Sequence, residues 1–230
     1  MYKIGLIASK SALTSLFVCG VMSAAAAADL SQYRNIQFGT DLPAVAKQVG
    51  ASASEAKVIH SRPVLMQELQ WRPRGLGSSP RTESVDRVVF SFYNGELYRI
   101  AIQYDRNETE GLTTEDMVDA VSVTYGTAAK PPAPVKAAQD RYGDREDVIA
   151  RWQDPQYGFD LIRSSYGRSF SLVGVMTRLD SPAQAATLEA KRLDDQEEPQ
   201  RNAARLASEQ EAVKDKLEKA RLLNKPRFRP

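Results

Sequence analysis

The stretch VVFSFYNGELYRIAIQYD, residues 88–105, decides the fold. Two apolar runs flank Asn94-Gly95, and each alternates with the two-residue period of a half-buried strand. An Asn-Gly turn between such runs predicts an antiparallel hairpin. The faces set its register. A three-residue loop, Tyr93-Asn94-Gly95 with Gly95 left-handed, pairs Phe92 with Glu96, Phe90 with Tyr98 and Val88 with Ile100. One face then collects Val88, Phe90, Phe92, Tyr98, Ile100, Ile102 and Tyr104. The other carries Ser91, Tyr93, Arg99 and Gln103, with Val89, Leu97 and Ala101 among them. A two-residue loop mixes Arg99 with Phe90, so the bulged three-residue turn is the expectation. Asn94 and Gly95 are explained by backbone geometry and need no catalytic role.

Upstream, FGTDLPAVAKQVG reads as a helix. Thr40 suits its cap, Pro43 its first turn, and Gly50 its end. Leu42, Val45, Ala46 and Val49 share one face. Ser52-Ala53-Ser54-Glu55 has the form of a capping box. VIHSRPVLMQELQW is then extended, with Leu65, Gln67, Leu69 and Trp71 on one side and Met66, Glu68 and Gln70 on the other. A loop rich in Gly, Pro, Ser and Arg, 72–84, leads into the hairpin.

The order recurs downstream. Thr113-Thr114-Glu115-Asp116 opens a helix with Met117, Ala120, Val121 and Thr124 on one face, and Gly126 closes it. The linker TAAKPPAPVKAA follows. VIARWQDP then mirrors ELQWRP, with Trp152 in the place of Trp71. YGFDLIRSSYGRSFSLVGVMTRL mirrors the hairpin, with Gly167 near its turn and apolar residues on both faces. The reading is α+β: two helix-plus-three-strand modules, about 36–105 and 112–179, within an antiparallel domain spanning 29–180. The modules either keep separate sheets or join edge to edge.

The helix-plus-hairpin pattern, with FGTDLPAV and F-Y-N-G-E-L-Y-R-I, resembles the modules of the SmpA/OmlA outer-membrane lipoproteins and the β-lactamase inhibitor proteins. That resemblance implies a role in binding proteins. An exported family of another kind carries the same hairpin signature equally well. The chain lacks a lipoprotein cysteine motif, since Val18 precedes Cys19, and it adds a long C-terminal segment.

The N-terminal residues have the form of a signal peptide, 1–28. Lys3 and Lys10 form the basic start, Ser11 to Met22 the apolar run, and Ala24, Ala26 and Ala28 the small-residue cleavage pattern. Export with removal near Ala28 is expected, to the periplasm or the medium. Cys19, the single cysteine, leaves with that segment. The mature chain then has no thiol for a disulfide, a nucleophile or a metal site. Removal of Lys3 and Lys10 leaves 29 basic against 29 acidic residues. Net charge therefore gives no argument for nucleic acid as a partner. No later segment is apolar enough to span a membrane.

From Ser181 to the end, 181–230, the composition turns charged and alanine-rich. Ser181 and Pro182 suit a helix start, and Pro199 is expected to break or kink it. Leu206, Val213, Leu217 and Ala220 form a thin apolar stripe. Two readings stand: a solvated helix, or a coiled-coil arm that self-associates or binds a partner through 182–223. NKPRFRP forms a basic tail.

Motifs for chemistry are sparse. His60, the lone histidine, has no nucleophile-elbow motif to serve and reads as structural. DRYGDRED, 140–147, lacks calcium-loop spacing. GLGSSPR, 75–81, has glycines but no following helix. No catalytic residue, metal site or cofactor is assigned. Binding candidates are Trp71, Arg72, Tyr93, Arg99, Trp152, Tyr157 and Tyr166, because Trp, Tyr and Arg dominate protein contacts. For the two tryptophans a core position is the competing reading. The function expected is an exported, non-enzymatic protein-interaction module with a partner in the cell envelope. The alternative is a small glycan-binding protein or a hydrolase using carboxylates.

Overall fold

The computed structural model describes residues 29–73, 84–129, 146–164, 169–227 and 229. The expected signal peptide, the GLGSSPR loop, the proline-rich linker from Lys130 onward, DRYGDRED before Glu146, and Tyr166 and Gly167 lie outside them. In chain order the elements are β1 (Gln32–Tyr33), β2 (Ile36–Gln37), α1 (Leu42–Val49), β3 (Lys57–His60), β4 (Met66–Trp71), β5 (Val85–Tyr93), β6 (Glu96–Tyr104), α2 (Thr114–Tyr125), β7 (Glu146–Gln153), β8 (Tyr157–Ser164), β9 (Phe170–Met176) and α3 (Thr177–Asn224). A single 3-10 turn at Ala53–Glu55 follows α1. The class is α+β. Strands β3-β4-β5-β6-β9-β8-β7 form one seven-stranded sheet in that order, every pairing antiparallel, and β1–β2 form a separate small hairpin. The two expected sheets are therefore joined edge to edge, through β6 and β9.

The β5–β6 hairpin corrects the expected turn. Tyr93 pairs with Glu96 across a two-residue loop, and Asn94 and Gly95 both have positive φ, 50° and 84°. That geometry follows the twist of the flanking strands and suits Asn-Gly. The extra residue enters later: the register shifts between Ser91 and Phe92, so Tyr98 is skipped and Phe90 pairs with Ile100. A β-bulge thus restores the face that the two-residue turn would have lost. Val88, Phe90, Phe92, Ile100 and Ile102 are fully buried, as the face pattern requires, and Leu97 is buried as well.

Segment 58–71 is likewise two strands, not one. β3 and β4 pair antiparallel around the turn that holds Arg62 and Pro63. Capping of α1 and α2 is local. Asp41, rather than Thr40, caps α1, accepting from the Ala44 amide at 2.8 Å. This places Pro43 at the second helical position, where a missing N–H costs nothing. Gly50 ends α1 in the left-handed region. Thr113 and Asp116 form a reciprocal capping box on α2, with bonds of 2.8 and 3.1 Å.

Register builds the core in rows. Leu69, Phe90, Ile100, Gly174, Phe159 and Trp152 are successive partners across β4, β5, β6, β9, β8 and β7. Successive partners point to the same side of a sheet. Trp71, Val88, Ile102, Leu172, Leu161 and Ala150 form the next row on that side. The same core takes Leu42, Val45 and Ala46 of α1, Met117, Val121 and Tyr125 of α2, and Tyr33, Ile36 and Phe38 of the small hairpin. Tyr125 stacks on Phe159 at 4.3 Å and Phe38 on Tyr157 at 5.5 Å.

The helix α3 begins at Thr177, directly after β9, with no loop and no side-chain cap. It runs without interruption through Pro182 and Pro199, so neither residue starts or ends it. Each proline removes one backbone bond, and long runs of Ala, Leu, Glu, Arg and Lys on either side sustain the rest. Leu179, Ala183, Ala186 and Ala190 are buried at helical spacing. They lie along the first third, which touches β6 and β9. Thr187 reaches Met66, which with its partner Tyr93 lies on the sheet side opposite the Leu69 row.

Gly174 is the narrowest point of the core. A Cβ there would stand 2.4 Å from Phe159 Cε1. Substitution Gly174→Ala is expected to destabilise the chain by roughly 1–3 kcal/mol. The urea midpoint measures this, and an unchanged midpoint would refute the packing assigned to that row.

Candidate functional site

The predicted contact residues divide between two sides of the sheet. Trp71, Trp152 and Tyr157 lie on the side covered by α1, α2 and the small hairpin. Trp152 is 2 % exposed and donates Nε1–H to the Gly126 carbonyl at 2.9 Å. It is a core residue, and the exposed reading of it is set aside. Trp71 is half-buried, with the Arg34 guanidinium 5.8 Å from its ring. Arg72 is exposed beside it. Tyr157 is half-buried against Phe38. Tyr93 and Arg99 lie on the opposite side, both half-buried, Tyr93 edge-on to Tyr98. Tyr166 lies outside the described residues. These residues do not converge on one site.

Three features do organise the surface. The first is the sheet side that carries Arg99. Val89, Ala101 and Val173 are register partners across β5, β6 and β9, all half-buried, and Val175 lies next to Arg99. Polar pairs frame them. Arg151 grips Asp160 with two bonds of 2.5 and 2.6 Å, Arg87 meets Gln103 at 2.5 Å, and Ser91 meets Glu68 at 3.3 Å. The Asp160 hydrogen bond, against a smaller opposing cost of burial, holds the Arg151 guanidinium in its charged form.

The second is a cleft of about 500 Å³ beside α2. Its walls include Val85, Met117, Val121 and Leu172, with Tyr33, Tyr104, Tyr125 and Arg34 as polar groups. No local pattern in the sequence marks it, because its tyrosines come from three separate elements. Burial pushes the Tyr104 and Tyr125 phenols well above the usual tyrosine value. Tyr125 donates to the Gln32 carbonyl at 3.4 Å. The cleft thus combines protonated phenols with the Arg34 guanidinium on apolar walls. Glu108 is the one carboxylate among the described residues lining it. Among the described residues, no group of three His, Cys, Asp or Glu side chains is placed to hold a metal ion.

The third is the distal part of α3. Between Gln200 and Lys219 every residue is exposed, including Leu206 at 51 %, Val213 at 57 % and Leu217 at 66 %. At its base Arg62 holds Glu197 with two bonds of 2.8 Å, and this hydrogen bonding lowers the Glu197 carboxyl below its ordinary value. Nearer the start of the helix, Arg178 pairs with Glu96. No helix among the described residues is long and apolar enough to cross a membrane.

No family model, no curated protein and no solved structure matches this chain.

The raised phenols set a pH dependence. Folded Tyr104 and Tyr125 keep their protons above pH 10, whereas the unfolded chain releases them near 10. Their contribution to stability is complete below that pH and declines as pH rises further. The urea midpoint should be flat to about pH 9.5 and fall above about pH 10. Tyr125→Phe should flatten part of the fall, and an identical slope in that variant would contradict the assignment.

Proposed function

We propose that this chain is an exported, periplasmic, non-enzymatic protein-interaction module that makes its contacts through the distal part of α3. One observation carries this reading. A helix of 48 residues is rooted in the core by its first third and carries Leu206, Val213 and Leu217 more than half exposed on its remainder. Isolated helices are marginal in water, and apolar side chains ordered along one of them gain stability by packing against another surface. The half-buried valines on the Arg99 side of the sheet offer a second contact region. Export rests on the basic start, apolar run and alanine pattern of residues 1–28. Among the described residues the cleft carries one carboxylate, Glu108, whereas glycoside hydrolysis by paired carboxylates needs two across the scissile bond.

The two strand meanders, β4–β6 and β7–β9, form an internal repeat in this reading. Trp71 reaches Ile102 through Val88, and Trp152 reaches Gly174 through Phe159. The pairs Ile102–Leu172 and Ile100–Gly174 exchange when Trp71 is set equivalent to Trp152. That correspondence supports a two-fold relation about the β6–β9 seam.

The test is affinity capture from envelope extract with the full chain and with a chain ending at Glu198. A cut at Asp180 would remove Ala183 and Ala186 from the core, so it belongs farther out. A protein retained by the full chain and lost by the shorter one is the expected result. Equal capture by both would move the contact to the sheet. Reproducible turnover by the pure protein, abolished by a point substitution, would overturn the non-enzymatic reading.

A further inference from the structure

We propose that the distal part of α3 pairs with the same segment of a second copy of this chain, antiparallel, with Leu206 of each copy against Leu217 of the other. This deepens, and rests on, the reading of that segment as a contact element. Ala203, Leu206, Gln210, Val213, Leu217 and Ala220 recur at alternating spacings of three and four, so they lie along one seam of an α-helix. The seam spans about 27 Å at 1.5 Å per residue. Setting Leu206 opposite Leu217 also sets Ala203 opposite Ala220 and Gln210 opposite Val213. Each leucine layer occurs twice, and each copy contributes one polar seam residue, which fixes register at some cost in stability.

Charge decides the direction. Ala207, Lys214 and Arg221 flank the seam on one side, and Glu209, Lys216 and Leu223 on the other. In a parallel pair Glu209 faces Lys214 of the second copy, but Lys216 faces Arg221, and each occurs twice. In the antiparallel pair Glu209 faces Lys216 twice and Lys214 faces Ala207, so no like charges meet along either flank. The ends agree. Asp194, Asp195, Glu197 and Glu198 form an acidic stretch at the base of the distal segment, and Lys225, Arg227 and Arg229 a basic tail beyond its tip. The antiparallel register brings the tail of one copy to the acidic stretch of the other. A parallel pair would bring tail to tail. Glu197 is held by Arg62 and Glu209 by Arg205 within one chain. Asp195 and Glu198 are exposed.

The experiment uses the full chain carrying Cys19→Ser, so that introduced thiols are the only ones. Sedimentation equilibrium from about 10 µM to 1 mM covers the affinity range of a short seam. A concentration-dependent dimer is expected. Lys216→Glu should weaken it roughly tenfold by setting two Glu–Glu pairs, and Glu209→Lys with Lys216→Glu should restore it. A parallel dimer would instead tighten with Lys216→Glu, because the introduced carboxylate would then face Arg221. Ala203→Cys and Ala220→Cys chains, oxidised separately and mixed, give the geometric readout. Crosslinking in the mixture alone supports the proposal. Self-crosslinking of each variant alone would overturn the antiparallel register while leaving self-association in place. A monomer at 1 mM whose distal helix still captures another protein would overturn the second copy as occupant and leave the contact reading standing. A monomer with no such capture would refute both.

Discussion

The β6–β9 pairing is the interaction on which the rest of the structure depends. It turns two meanders into one sheet and so creates a single face wide enough for α1, α2 and the small hairpin. Small antiparallel sheets with one helix each bury too little surface to be secure alone. Joined, they share one core in which Phe159 lies between Tyr125 and the backbone of Gly174. Glycine in a strand ordinarily weakens it. Here the lost side chain is replaced by the ring of the cross-strand neighbour, so the row from Leu69 to Trp152 is filled by large residues with one gap where the ring passes.

Much of this is legible in the sequence, and the failures have identifiable causes. The apolar face of 88–105 reads correctly because a two-residue period is insensitive to where an extra residue enters. The turn is misread for the same reason. A three-residue loop, and a two-residue loop followed by a bulge at Tyr98, give the same faces from Arg99 onward; they differ in Leu97, which the bulge sets opposite Phe92 in the core, and in the positive φ of both Asn94 and Gly95. Segment 58–71 looks continuous because apolar pairs, Val58-Ile59 and Val64-Leu65, stand before and after its break at Arg62-Pro63. The binding candidates follow from residue type, which carries no depth: Trp152 and Arg72 are equally eligible by type, yet one is buried and the other exposed. The cleft draws on Tyr33, Tyr104 and Tyr125, far apart in the chain, so no local pattern announces it.

The last helix shows a different limit. Ser181-Pro182 has the form of a helix start, and local rules place the boundary there. Tertiary packing moves it to Thr177, because Leu179 belongs to the core and extends the helical spacing of Ala183 and Ala186 backward. Pro199 is tolerated for a related reason. Glu197, two residues earlier, is fastened to Arg62 across 135 positions of sequence, so the helix is tied to the body just before the residue that would weaken it. An exposed ion pair contributes little stability by itself. Its effect here is directional, since it is the last described side-chain tie between α3 and the body before the free run begins.

That tie has a consequence for how the distal segment can work. A flexible tether would let two copies meet in any orientation, and charge along the seam would then be the only selector. A helix rooted by Leu179, Ala183 and Ala186, and tied again at Glu197, leaves the body in a fixed direction. The roughly 40 Å of helix beyond Glu198 therefore acts as a stiff spacer. An antiparallel pair overlapping along Ala203 to Ala220 places the two bodies at opposite ends of the shared rod. Val89, Ala101 and Val173 belong to the sheet of each body, away from the seam. The rigidity of a single helix thereby holds the segment proposed to pair with a second copy away from the sheet.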